Sequence, residues 1–358
     1  MKKGGWRKLI VLLLVFDLLL LLRLRPGLSP RVNLSHSQMD LLPNIRFGLN
    51  LNPQSSDNLF GLLGFYVQSS KEQADEEGLR IQVWDEQKGM MEMNFEEYIV
   101  HVVAGEMPAG YETEALKAQA IAARTYALKH LRGEDRCKSG YTICTDPYCC
   151  QACLQTEEMK SCWGDRYDEY YKKIDDAVKA TEGEVLTSDG KLISALYHSS
   201  SGGRTEDSEA VFAVALPYLV SVESDGEEDS PEYSDEKVFS VQDLCSIVNA
   251  EFPQAHLKAP AEQIDVWGRT DSGRVKLVQL GEIVINGQQL RNLLNLHSTN
   301  FSFEFEGDSV RITCIGFGHG VGMSQCGANA MAKRGVDYRA ILEHYYTGVE
   351  IITMDEQL

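Results

Sequence analysis

The sequence lacks an excess of basic charge outside its N-terminus. It has 34 Lys and Arg against 53 Asp and Glu, a formal net charge of −19 over 358 residues. Seven basic residues and one Asp give residues 1–35 a local charge of +6, which leaves −25 for the remainder. Nonspecific nucleic-acid binding needs a surface rich in Lys and Arg, and anionic lipid surfaces also attract basic protein surfaces. We therefore exclude nucleic acid as a partner and do not expect the body to lie flat on lipid.

Several familiar catalytic motifs are also missing. The sequence has no G-x-S-x-G elbow, so His198 beside Ser199 does not indicate a serine hydrolase. These two neighbours also point to opposite faces of an extended segment. The glycine-rich segment 316–328 fits neither a dinucleotide fingerprint nor a P-loop, because its third glycine is misplaced and no Lys follows. No organic cofactor is expected.

One long run, at residues 9–22, is apolar except for Asp17; it follows four basic residues and precedes Arg23 and Arg25. A basic head before a short apolar core is typical of an export signal. Because no small-x-small cleavage pattern follows, we predict an uncleaved signal anchor at residues 1–25; a cleaved signal peptide is the alternative. Both interpretations place the body outside the cytoplasm, and the anchor makes this a single-pass protein of the cell membrane.

The rest of the chain predicts a linker with early strands at residues 26–77 and one α+β domain at residues 78–355. Helices are expected at Phe95–Glu106 and Thr113–Leu131, with Thr113 as N-cap, separated by Pro108 and Gly110. Further predicted elements are a strand within 78–94, a hairpin around Asp189 and Gly190, an acidic loop at 223–235, short strands with turns at Ser272–Gly273 and Asn286–Gly287 within 263–315, and helices at 165–181, 243–252, 324–334 and 338–345.

Three polar residues in these elements are candidates for chemistry. A carboxyl at the mouth of an apolar pocket has a raised pKa and donates a proton near neutral pH, which suits Glu106; a solvated helix-end Glu is the alternative. Arg124 lies within an Ala-rich helix, so it either binds an anionic group or forms a structural ion pair. His319 either faces a cleft or is a satisfied structural histidine.

Six of the nine cysteines fall within residues 137–162. Such spacing in an irregular segment suits a tetrahedral zinc site or local disulfides, and an extracytoplasmic location permits the latter. Since the total is odd, at least one thiol is unpaired or is a metal ligand.

Five segments together carry a resemblance to a known family. They are YIVHVVAGEMPAGYETEALKAQAIAARTYAL at 98–131, YHSSSGGRTEDS at 197–208, PYLVSV at 217–222, GHGVGMSQCGA at 318–328 and ILEHYYTG at 341–348. In this order they resemble the SpoIID/LytB family. Cys326 stands where the family usually has an aromatic residue.

The resemblance implies a membrane-anchored lytic transglycosylase that degrades peptidoglycan during engulfment in sporulation and prefers glycan strands without stem peptides. It also implies two partners, a cell-wall amidase and a polytopic membrane scaffold. The family's essential glutamate maps onto Glu106. A structural zinc would be held by Cys144, Cys149, Cys150 and upstream Cys137, with Cys137 and Cys149 standing where other members have histidine.

The chemistry agrees with this resemblance. One carboxyl suffices because the C6 hydroxyl of N-acetylmuramic acid attacks C1 and forms a 1,6-anhydro ring. A muramic acid without its peptide carries a free lactyl carboxylate, for which Arg124 and Arg204 are the expected partners. The side chains expected to contact the glycan are Arg124, Tyr126, His198, Ser199, Arg204, His319, Ser324 and Gln325. Alternatives are a noncatalytic glycan-binding enhancer of an amidase and a structural tether between membrane and wall.

Overall fold

The structure is a computed structural model, and it describes residues 78–354. The first half of this region contains mainly helices. Its elements are β1 (Arg80–Asp85), β2 (Gly89–Asn94), α1 (Phe95–Glu106), α2 (Thr113–Leu131), β3 (Ile143–Cys144), α3 (Thr156–Trp163), α4 (Tyr167–Lys179), β4 (Glu184–Ser188), β5 (Lys191–Leu192), β6 (Tyr197–His198) and α5 (Ser208–Phe212).

The second half contains most of the strands. Its elements are β7 (Ser234–Ser240), α6 (Val241–Glu251), α7 (Pro260–Gln263), β8 (Ile264–Arg269), β9 (Val275–Leu280), β10 (Ile283–Asn286), α8 (Gly287–Leu294), β11 (Phe301–Glu306), β12 (Ser309–Ile315), β13 (Met323–Ser324), α9 (Gln325–Lys333), α10 (Tyr338–Tyr345) and β14 (Glu350–Thr353). This mixture of helices and mostly antiparallel strands confirms the α+β class.

The first hydrophobic core surrounds α2. This helix is buried along most of its length and packs against α1, α4, α9 and α10. Its repeated alanines leave little side-chain bulk, so neighbouring helices approach closely and exclude water from nearly every face. Strand β4 pairs with β14 and β5 beside this core, and β6 pairs in parallel with β13.

A second hydrophobic core is formed within residues 239–314. The sheet β10-β9-β8 and the sheet β11-β12-β7 pack with α6 and α8 around Val248, Leu290 and Phe301. Alternating burial along β12, where Val310, Ile312 and Cys314 face inward, is typical of a half-buried antiparallel strand.

The structure confirms several sequence predictions and corrects others. Helices α1 and α2 have the predicted bounds, and Asp189 and Gly190 both adopt positive φ in the predicted hairpin turn. The predicted strand within 78–94 is a hairpin of β1 and β2. The predicted turn at Asn286–Gly287 is instead the start of α8, because the Asn286 side chain caps that helix.

The predicted cap of α2 was wrong by one residue. Glu112 occupies the N-cap position without a side-chain capping bond, and Thr113 is the first helical residue. Among the helices of residues 78–354, none is long and apolar enough to span a bilayer. The predicted anchor at 1–25 and the linker at 26–77 lie outside the described residues.

Candidate active site

The carboxyl of Glu106 lies at the C-terminal end of α1 and is largely shielded from water. Its Oε1 accepts a hydrogen bond from the Ala152 backbone N–H at 2.6 Å. Its Oε2 accepts a longer one, 3.4 Å, from Gln325 Nε2, which also reaches Gln119 Oε1 at 3.4 Å. Burial raises the pKa of Glu106 from 4.5 to about 7, and the two hydrogen bonds only partly oppose this. Such a carboxyl exchanges a proton readily at neutral pH.

The segment that follows the cysteines is pressed against the end of α1. Leu154 N–H donates to the His101 carbonyl at 3.0 Å. A side chain at Gly105 would lie within 3.2 Å of Ala152 and 3.1 Å of the Leu154 nitrogen, so glycine is needed for this approach. Gly105 therefore allows Ala152 to hold the Glu106 carboxyl in one orientation.

A buried hydrogen-bond chain lies on the inner side of the site. Tyr197 Oη donates to Gln151 Oε1 at 2.8 Å, and Gln151 Nε2 donates to Tyr98 Oη at 3.1 Å. Burial, followed by the charge of Glu106, raises the pKa of Tyr197 well above its ordinary value. Tyr197 is thus a neutral phenol near Glu106. Sequence reasoning missed Ala152 and Tyr197 as neighbours of Glu106, since they lie far from it along the chain.

Arg124 does not take part in this site. Its Nε and Nη2 donate to the two carboxylate oxygens of Glu96 at 2.8 and 2.7 Å, and Nη1 donates to the Glu184 carbonyl at 3.1 Å. Its side chain is 0% exposed. The expectation that Arg124 binds a substrate carboxylate is therefore wrong, and the alternative of a structural ion pair is what the structure contains.

Ser324 and Tyr126, which were also expected to contact the glycan, have structural partners within the protein. Ser324 is fully buried, and its hydroxyl accepts the Gly327 N–H at 3.2 Å as the N-cap of α9. Tyr126 packs its ring against His130, and its raised pKa arises from burial and then from Cys150. Tyr126 is therefore a neighbour of the cysteine cluster. A glycan contact by Ser324 is excluded by its burial.

The two histidines lie beside each other, with ring centroids 5.6 Å apart. His198 Nδ1 donates to the Val321 carbonyl at 3.2 Å, whereas His319 Nδ1 accepts from the Val321 N–H at 3.0 Å. Burial lowers the pKa of both, that of His319 to about 4. Both imidazoles are neutral at pH 7, so neither supplies positive charge to a substrate.

Of the remaining predicted contacts, Gln325 is buried, whereas Ser199 and Arg204 are only partly buried. Gln325 reaches Glu106, as described, and Ser199 uses its carbonyl to accept the Cys326 N–H at 2.9 Å. Arg204 lies 3.7 Å from a carboxylate oxygen of Glu223, and both side chains are substantially exposed. An exposed pair of this kind contributes little to stability. Glycan contacts by Ser199 and Arg204 stay predictions.

A buried carboxylate that the sequence did not indicate organises the SSSGG loop. Glu227 accepts hydrogen bonds from the Ser200, Ser201 and Ser224 hydroxyls at 2.6, 2.6 and 2.5 Å. The Ser201 and Gly202 backbone N–H groups donate to it at 2.8 and 3.3 Å. Glu227 is 1% exposed. The sequence predicted an acidic loop at 223–235, and nothing in its spacing distinguishes Glu227 from its exposed neighbours.

Four cysteine sulfur atoms converge in the segment before Gln151. Those of Cys137, Cys144, Cys149 and Cys150 all lie within 4.8 Å of one another, and the Cys137–Cys149 separation is 3.5 Å. Tetrahedral zinc with bonds of about 2.3 Å places its sulfur ligands about 3.8 Å apart. A disulfide would need about 2.05 Å. The four residues could therefore hold one metal ion.

Comparison with known proteins identifies the class of protein that this fold and site belong to. A family profile described as "Stage II sporulation protein", SpoIID, matches residues 85–188. The chain is 38% identical to Stage II sporulation protein D of Bacillus subtilis, over 73% of this chain and 75% of that protein. It is 37% identical to the protein of the same name from Bacillus amyloliquefaciens, over 74% and 75% of the two chains.

The chain therefore belongs to the SpoIID family of sporulation proteins. A more distant relative is a protein of Bacillus subtilis named "Amidase enhancer", which is 28% identical over 70% of this chain and 39% of its own length.

Proposed function

We propose that the protein is a lytic transglycosylase that cleaves peptidoglycan glycan strands lacking stem peptides, with Glu106 as the sole acid and base. The observation that carries this proposal is the Glu106 carboxyl, fixed by Ala152 N–H and with a pKa of about 7. At neutral pH such a group is populated in both protonation states, as the two halves of the reaction require.

In the first half-reaction, protonated Glu106 gives its proton to the glycosidic oxygen, and the bond from that oxygen to C1 of N-acetylmuramic acid breaks. In the second, the carboxylate takes the proton of the C6 hydroxyl while its oxygen bonds to C1. The products are a 1,6-anhydro end and a strand with a free hydroxyl, and no water is consumed. An intramolecular nucleophile makes a second catalytic carboxylate unnecessary.

We further propose that the four clustered cysteines hold a structural zinc ion. Four thiolates fill a tetrahedral shell and leave no position for water, so such an ion would stabilise the fold and take no part in the reaction. The chain from Cys150 to Ala152 is only two residues long, and an ordered cluster would fix the donor that orients Glu106.

The cellular setting is proposed on the same basis. The family places the protein in sporulation, and we propose action on the wall during engulfment beside a cell-wall amidase and a polytopic membrane scaffold. Attachment through residues 1–25 would keep the domain at the outer face of the cell membrane.

The purified full-length chain alone should convert amidase-treated glycan to strands with 1,6-anhydro ends in water enriched in heavy oxygen. Mass spectra free of incorporated label are expected. Incorporated label would identify a hydrolase. A second candidate function, noncatalytic enhancement of an amidase, is suggested by the name of the distant relative. It predicts no new ends until an amidase is added.

A further inference from the structure

A cavity of about 300 Å³ lies between the two hydrophobic cores, away from the residues that contact Glu106. One side is formed by Ala210 and Val211 of α5. The other is formed by the start of β9 and the first residues of α8. The full lining comprises Glu206, Ala210, Val211, Thr270, Arg274, Val275, Lys276, Asn286, Gly287, Gln288 and Thr299.

Arg274 in this wall is a buried cation with unused donors. It is 2% exposed, and only Nη2 has a partner, the Ser201 carbonyl at 3.1 Å. Its Nε and Nη1 have no hydrogen-bond partner. Burial lowers the pKa of Arg274 to about 10, so the guanidinium stays charged at neutral pH. A buried charge with unpaired donors is costly, which favours an anionic ligand.

The buried carboxylate of the lining, Glu206, does not meet this need. Glu206 Oε1 accepts from the Asp207 backbone N–H at 3.0 Å, and Oε2 accepts from the Ser272 hydroxyl at 2.7 Å. No hydrogen bond joins Glu206 to Arg274 among those of the described residues. The guanidinium therefore differs from that of Arg124, whose charge is neutralised bidentately by Glu96.

The other charges of the lining favour a ligand with a single negative charge. Arg274 and Lys276 are positive and Glu206 is negative, which leaves one net positive charge. The N-terminal residues Gly287 and Gln288 of α8 also line the cavity, and helix N-termini attract oxyanions.

The glycine-rich segment makes room for the guanidinium. A side chain at Gly320 would lie 2.2 Å from Arg274 Nη2, so only glycine allows the guanidinium to occupy this place. The same segment carries His319, whose neutral ring adds no competing positive charge. This arrangement gives GHG at 318–320 a role that the sequence pattern alone did not assign.

We propose that Arg274 and the adjacent cavity form a subsite for a carboxylate on the glycan strand. Given the function proposed above, on which the identity of the ligand rests, this is the lactyl carboxylate of an N-acetylmuramic acid residue that has lost its stem peptide. A strand that still carries its peptide has an amide at that position. It brings no charge to Arg274 and must fit more bulk into the cavity.

The test measures binding of the disaccharide N-acetylglucosaminyl-N-acetylmuramic acid to the full-length chain by titration calorimetry. This ligand lacks the bond that the proposed reaction cleaves, so binding is separated from turnover. The comparison ligand has its lactyl group converted to a methylamide. We expect the amide to bind at least about tenfold more weakly, and Arg274→Gln to lose a similar factor for the acid alone.

Two further variants test the site without removing the buried charge. Ala210→Phe fills the cavity from an exposed position of α5, and Lys276→Gln removes its outer charge; both should weaken binding of the acid. If Arg274→Gln does not fold, Ala210→Phe and Lys276→Gln test the subsite in its place. Arg311→Gln, which loses a surface guanidinium paired with Glu236, should bind as the wild type does.

Equal binding of acid and amide, or unchanged binding in folded Arg274→Gln and Ala210→Phe, would overturn the subsite. Tighter binding of inorganic phosphate than of the acid would overturn its assignment to a carboxylate. Acid-selective binding that depends on Arg274, in a protein that cleaves no glycan, would uphold the subsite and overturn the proposed activity. Cleavage of glycan by a protein that binds the acid and the amide equally would uphold the proposed activity and overturn the subsite.

Discussion

Replacing Glu106 with Gln should stabilise the protein at alkaline pH and destabilise it slightly in acid. The folded state raises the pKa of this carboxyl from 4.5 to about 7, chiefly by burial. Below pH 4.5 the carboxyl is neutral in the folded and unfolded states, so it costs nothing. As the pH rises from 4.5 to 7, the unfolded chain releases this proton while the folded protein still holds it, so stability falls; above about 7 both states carry the charge and the loss levels off.

The size of this effect follows from the two pKa values. One pKa unit corresponds to about 1.4 kcal/mol, so the wild type loses about 3 kcal/mol between pH 4.5 and 8. Glutamine keeps an acceptor for Ala152 N–H but loses the one that faces Gln325 Nε2, which costs about 1 kcal/mol at every pH. The net gain of Glu106→Gln at pH 8 is therefore about 2 kcal/mol.

Urea unfolding of the full-length chain at a series of pH values between 4 and 8.5 measures this difference. Glu97→Gln is the matched control, because Glu97 is an exposed glutamate of the same helix and should show little pH-dependent change. Parallel stability curves for wild type and Glu106→Gln across this range would refute a raised pKa and with it the physical basis for a proton donor.

Three further outcomes follow from other parts of the structure. Arg124→Lys should lower the free energy of unfolding by about 3 kcal/mol in a denaturation assay, because lysine cannot bind both Glu96 oxygens. The same variant should leave the preference for denuded glycan unchanged, as measured by product release. Glu227→Ala should destabilise by at least about 3 kcal/mol in the same denaturation assay, since buried donors lose their acceptor. Elemental analysis should find about one zinc per chain in wild type and the exposed-site control Cys162→Ser, and little in Cys149→Ser.

Much of the local structure could be predicted because its signals are local. Pro108 and Gly110 separate α1 from α2, and the Ala-rich composition of α2 predicts a closely packed helix. The turn signal at Asn286 was ambiguous, since an Asn before a Gly serves either a hairpin or a helix N-cap. Only the surrounding packing decides between the two.

The partners of buried charges could not be predicted in this way. A structural ion pair was one of the two roles considered for Arg124, but its partner Glu96 lies 28 residues earlier, and no periodicity relates them. Arg274 sits in a short hairpin of polar residues that gave no sign of burial, whereas the structure encloses it between two cores. Glu106 was found from a family resemblance and its apolar setting, but its donor Ala152 comes from a distant irregular segment.

Product analysis of denuded glycan strands tests whether Glu106 is the catalytic acid and base. Wild type, Glu106→Gln and the control Glu97→Gln would be incubated with the same amidase-treated strands, and 1,6-anhydro ends counted by mass spectrometry. We expect wild type and Glu97→Gln to form anhydro ends at the same rate. Glu106→Gln should stay folded and lose at least about 10²-fold in this rate. Anhydro ends formed by folded Glu106→Gln at the wild-type rate would show that Glu106 is not the acid and base of the reaction.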